Sequence, residues 1–171
     1  MSKQQVVREI HRHAQKNFQR RKITMYGIAD TLQADLIEMQ PYAQENRGHR
    51  YILIVIDVFS KMAYAEPLLN KTGSETARAM DRILQKVRLQ HHKVNNLHTD
   101  EGSEFYCQPM RQLLQKYNIN HYSTFSLMKA CVVERLIRTI KRRLYMQFSL
   151  QGNYRWLKIL QQVIDSYNDT W

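Results

Sequence analysis

Residues 51–68 read YILIVIDVFSKMAYAEPL, and the fold class turns on how this stretch is parsed. Its longest uninterrupted apolar run, Tyr51 to Ile56, is six residues. A membrane-spanning helix needs about twenty, so no span is expected. Apolar continuity instead predicts a strand buried on both faces over Tyr51 to Phe59. Met62 to Leu68 (MAYAEPL) follows it as a second strand. Upstream, Gln33 to Met39 (QADLIEM) predicts another strand, with Pro41 and the polar residues through Arg50 as the connection. The three together make a meander.

Working outward, Gly73 and Ser74 precede a helix whose apolar members Ala77, Met80, Ile83, Leu84 and Val87 fall on one face. A short strand is expected at Val94 to His98, a helix from about Phe105 to Tyr117 and a strand at Asn120 to Ser123. Two helices are expected at about 130–149 and 154–168. This order specifies an α/β fold, a mixed sheet with helices on its faces.

The chain has 171 residues, of which 43% are apolar, enough for a core. Its 26 Lys+Arg against 15 Asp+Glu give a net charge of +11. Such an excess excludes most ordinary neutral enzymes and points to polyanionic partners, most often nucleic acid. Residues 1–25 hold seven basic side chains against Glu9 alone, and read as a basic arm or linker ahead of a domain over 26–171. No apolar leader is evident at the N-terminus, so a reducing compartment is expected. Cys107 and Cys131 then read as thiols, and His11 and His13 lack the cysteine partners of a zinc site.

Three acids stand out. Asp35 lies mid-strand among Ala34, Leu36 and Ile37, where propensity and burial both disfavour it. Asp100 ends a strand in HTDEGSEF, and Glu134 falls near the start of a helix in KACVVERLIRTIKRR. Each alone has a structural reading: a strand-edge Asp, a helix-capping Asp, a first-turn Glu favoured by the helix dipole. Other acids read as structural. Asp57 is expected to make strand-end hydrogen bonds, and Glu38 should face away from Asp35. Glu104 is expected as a first-turn partner of a helix.

These strings resemble the catalytic core of retrovirus-type integrases. The matching features run in order: Gln33-Ala34-Asp35, the stretch from Tyr51 to Leu68, Lys71 to Glu75 (KTGSE), His98 to Gly102 with Glu104-Phe105, Val132 to Arg135 with Arg138-Thr139, and Tyr167-Asn168. The resemblance covers about residues 24–171, and its flavour is closest to integrases of Maverick/Polinton transposons and LTR retroelements. It implies a ribonuclease H-like fold: a five-stranded mixed sheet, three strands antiparallel and two parallel, with helices on both faces. It further implies a DDE-type polynucleotidyl transferase that performs DNA integration by 3′-end processing and strand transfer. Asp35, Asp100 and Glu134 would be the catalytic residues and the ligands of two Mg2+ ions, with Mn2+ as a substitute. Asp35 would bridge the pair. Two divalent cations activate the attacking oxygen and stabilise the leaving one, and carboxylates suit both as hard ligands.

The resemblance also implies DNA contacts by Arg138 and Lys141, and by Lys129 in the preceding loop, and for Glu104 it offers an approach to target DNA as the alternative to a first-turn role. On a helical wheel with Glu134 at zero, Arg138 lies at about 40° and Lys141 at about −20°, while Val133, Leu136, Ile140 and Leu144 cluster on the opposite side. A plain i,i+4 surface pair between Glu134 and Arg138 is the structural alternative. Expected partners are element-end and target DNA and further copies of the chain, without a membrane, in the nucleus. Ile137 stands where the family often has Asn, and the loop Thr124 to Lys129 is apolar and lacks glycine. Hence a non-catalytic, nucleic-acid-binding derivative of the fold is the alternative function, and a ribonuclease H-type nuclease is a third.

Overall fold

The computed structural model describes residues 26–123 and 131–170. Five strands form one sheet: β1 (Thr31–Glu38), β2 (Tyr51–Asp57), β3 (Ala63–Leu68), β4 (Asn96–Thr99) and β5 (Asn120–Ser123). Their order is β3-β2-β1-β4-β5. β1, β2 and β3 are antiparallel neighbours, whereas β4 pairs in parallel with both β1 and β5. This is the mixed sheet of a ribonuclease H-like core.

The apolar continuity of β2 has a direct cause. All seven of its residues are buried, and successive side chains enter different cores. Leu53 and Val55 join the cluster beneath α1 (Gly73–Leu89) and α2 (Gln108–Tyr117). Ile52, Ile54 and Ile56 join the one beneath α3 (Cys131–Gln151) and α4 (Leu160–Asn168). With no face left to water, alternation with polar residues is lost. Helices therefore cover both faces of the sheet.

Several boundaries differ from the sequence reading. β1 begins at Thr31 and stops at Glu38, and β4 starts at Asn96. The helix expected from about Phe105 starts at Gln108 instead, with Pro109 in its first turn. Proline is tolerated there because its missing N–H would have no intrahelical acceptor. Phe105, fully buried, belongs to the loop ahead of it. The last helix begins at Leu160, after a separate 3-10 turn over Trp156–Lys158 that buries Trp156. The expected basic arm over 1–25 lies outside the described residues.

A candidate carboxylate site at the end of the parallel strands

Strand register brings the first two acids together. Parallel pairing sets Gln33 of β1 opposite His98 of β4, and the two side chains touch, Gln33 Nε2 to His98 Nδ1 at 3.2 Å. Two residues further along each segment are Asp35 and Asp100. Side chains two apart on a strand share a face, so Asp35 lies on the face of Gln33 and Ile37, the one that α3 covers. Helix α3 brings the third acid. Val133 packs into the core beside Ile37, and Glu134 follows it in the first turn. The Val132 and Val133 N–H groups donate to Gln33 Oε1 at 3.2 and 3.1 Å.

Asp35 is half-buried, whereas Asp100 and Glu134 are exposed. Burial is the main cause that pushes the Asp35 carboxyl up to about 6, and the charges of Asp100, Glu134 and Glu104 push in the same direction. A hydrogen bond from the Leu36 N–H to Asp35 Oδ1, 2.7 Å long, opposes them. Asp100 and Glu134 thus both lie within electrostatic reach of Asp35.

Glu104 is a fourth member. Its position follows from the late start of α2, which leaves residues 100–107 as a loop folded around Gly102. The Gly102 N–H donates to Asp100 Oδ1 at 3.1 Å. A Cβ on Gly102 would stand 2.9 Å from the Glu104 carboxyl and 3.1 Å from Asp100 Oδ1. The two carboxylates thus close on the Gly102 backbone from both sides, and a side chain there would have to push one of them aside. Glu104 is consequently no first-turn partner of a helix, since α2 begins four residues later.

Among the described residues, no three or more His, Cys, Asp or Glu form a group able to hold a metal ion. The acids converge without reaching ligand-to-ion spacing. Their donor chemistry nevertheless fits a hard divalent cation: several carboxylates, one of them raised by burial and like charge, which a bound cation would reverse.

Of the expected DNA contacts, Arg138 is exposed and Lys141 half-buried on the Glu134 side of α3, opposite buried Val133, Leu136, Ile140 and Leu144. Among the described residues the ion pairs are those of Glu66 with Arg82 and Lys86, so the Glu134 to Arg138 pair is not formed. Lys129 and the loop around it lie outside the described residues. Asp57 does the strand-end work expected of it, accepting from the Phe59 and Ser60 N–H groups at 3.1 Å each. Glu38 is exposed. Missing from the sequence reading was Gln33, a buried polar side chain whose signal was its position two residues before Asp35.

Residues 29–124 match the integrase core domain family. The chain belongs to that family. The match contains Asp35, Asp100 and Glu104 and ends ahead of Glu134. This integrase core is also 31% identical over 132 residues to a transposon-derived protein of Caenorhabditis elegans. That alignment covers 77% of this chain and 45% of the relative, so the chain spans less than half of that protein's length. DNA integration is the family's activity, and divalent metal ions are its usual cofactors. A cavity of about 250 Å³ lined by Leu84, Arg88, Lys93, Val94 and Ile119 is a separate feature. It opens at the far end of β4 and β5, away from the carboxylates. No helix among the described residues is long and apolar enough to cross a membrane.

Proposed function

We propose that this integrase core is a metal-dependent polynucleotidyl transferase of a transposable element, acting in 3′-end processing and strand transfer on DNA. One observation carries the reading: Asp100, just past β4, and Glu134, in the first turn of α3, both lie close enough to Asp35 of β1 for their charges to act on it. On this reading Asp35, Asp100 and Glu134 would be the residues that hold two Mg2+ ions, or Mn2+ in their place. Such a pair supplies activation of the attacking oxygen and stabilisation of the leaving one. The protein's own part is to fix the carboxylates on rigid elements and to align the phosphodiester. Arg138 and Lys141, exposed or half-exposed beside Glu134, suit the flanking phosphates. Lys129 belongs to the same proposal, as do self-association of the core and action in the nucleus.

A strand-transfer assay with pre-cleaved DNA ends and Mg2+ or Mn2+ tests the reading. Wild-type protein should join ends to target, and Asp100→Asn should lose at least a hundredfold. Equal, background-level joining by both sinks it. A second reading, a DNA-binding derivative without catalysis, is favoured by Ile137, an apolar residue three positions after Glu134 where the family often has Asn. Calorimetric titration with Mn2+ separates the two, because only the first requires heat that Asp100→Asn abolishes.

A further inference from the structure

Gln33 is 4% exposed, yet every polar atom of its amide is used. Its Oε1 accepts from the Val132 and Val133 N–H groups, and its Nε2 donates to His98 Nδ1. The first N–H groups of a helix have no intrahelical acceptor, and α3 begins at Cys131. Gln33 therefore caps α3 from a strand 99 and 100 positions away in sequence. For Nδ1 to accept, the imidazole must be neutral with its proton on Nε2. The ring is kept in place by stacking on Tyr122, centroids 4.9 Å apart.

The three groups joined by this amide stand next to the three acids. Asp35 is two residues after Gln33, Asp100 two after His98, and Glu134 one after Val133. We propose that Gln33 is the positioning residue of the carboxylate site, fixing the start of α3 against β1 and β4 so that Glu134 faces Asp35 and Asp100. The proposal rests on the reading of those three acids as a metal site. The Gln33 amide is taken up by these three protein contacts. It acts through the elements it joins, and an apolar residue of equal size would fill its space without holding them in register.

Gln33→Met and Gln33→Glu test this in the full chain. Methionine keeps the volume and removes all three hydrogen bonds, while glutamate keeps an acceptor for both N–H groups. Two readouts apply: hydrogen exchange of the Val132 and Val133 amides without metal, and calorimetric Mn2+ affinity. Gln33→Met should lose at least tenfold amide protection and at least tenfold Mn2+ affinity, with Gln33→Glu retaining the protection. Wild-type protection or wild-type Mn2+ affinity in Gln33→Met overturns the proposal. Absence of Mn2+ heat in the wild type itself defeats the metal reading, and the capping of α3 is then decided by amide exchange alone. If Gln33→Met does not fold, Gln33→Asn, one methylene too short to span the gap, carries both readouts with the same expectations.

Discussion

Asn168 and Ala63 exchange two hydrogen bonds across 105 positions of sequence: the Ala63 N–H donates to Asn168 Oδ1 at 2.8 Å, and Asn168 Nδ2 donates to the Ala63 carbonyl at 3.0 Å. Ala63 opens β3, an edge strand, so the side-chain amide at the end of α4 acts there as a piece of neighbouring strand. Exposed strand edges are sites of unwanted pairing, and this contact covers the start of one. It also ties the last helix to the sheet. Asn168→Ala should cost about 1–3 kcal/mol, because both backbone groups lose a partner. Asn168→Asp, which keeps only the acceptor, should fall between. Urea denaturation checks the order, and an alanine variant as stable as wild type would remove the contact's significance.

Asp35 makes stability depend on pH in an unusual direction for an acid. Its folded-state value of about 6 exceeds the ordinary 3.8. Between these two values the folded protein binds the proton more tightly than the unfolded chain does. Stability therefore falls as pH rises through this window, and the penalty is complete above about pH 6. Asp35→Asn removes the ionisable group. After discounting for its partial exposure, the variant should be about 1–2 kcal/mol more stable than wild type at pH 7, with most of the difference gone by pH 3.8. Urea midpoints measured at both pH values give the answer. A gain of equal size at each would mean that repacking, not ionisation, is responsible.

Glu66 on β3 is a nearly buried carboxylate with two partners, Arg82 Nε and Lys86 Nζ, each at 2.8 Å from α1. Its side chain is 12% exposed, against 49% and 47% for the cations. Each exposed cation alone should contribute little, about 0–1 kcal/mol, since the other still neutralises the acid. Removing both leaves the carboxylate unpaired, and the Arg82→Ala, Lys86→Ala double variant should cost about 3 kcal/mol, more than the sum of the singles. Strict additivity in a double-mutant cycle would contradict this.

The sheet was legible because its apolar strands had no competing interpretation. β2 announced burial on both faces by continuity, and Asp35 stood out as an acid that an apolar strand should reject. The first-turn reading of Glu104 fails for a local reason. Phe105 looks like the first apolar residue of a helix, while Pro109 marks the true first turn; the proline rule would have returned Glu104 to the loop beside Asp100. Gln33 stands out in the sequence only as part of the string Gln33-Ala34-Asp35. A glutamine near the start of a strand has no periodic signature, and its three partners become neighbours only through tertiary structure. The same limit hid the pairing of Asn168 with Ala63.

Arg138 and Lys141 carry the last prediction, which concerns DNA. Both lie on the Glu134 side of α3 and neither has an ion-pair partner among the described residues. Arg143, on the same helix, is engaged within the protein: its Nη1 donates to Ser166 Oγ at 3.2 Å and its guanidinium lies 5.6 Å from the Tyr167 ring centre. If the proposed DNA face is right, Arg138→Ala and Lys141→Ala should each weaken binding to duplex DNA of unrelated sequence. Each should also reduce the slope of log affinity against log salt by about 1, as expected for one lost phosphate contact. Arg143→Ala should lower thermal stability and leave the slope nearly unchanged. Fluorescence anisotropy over a series of salt concentrations measures all three. An unchanged slope in both Arg138→Ala and Lys141→Ala would place the DNA elsewhere on the protein, because a cation that contacts phosphate cannot be removed without changing the number of counterions released.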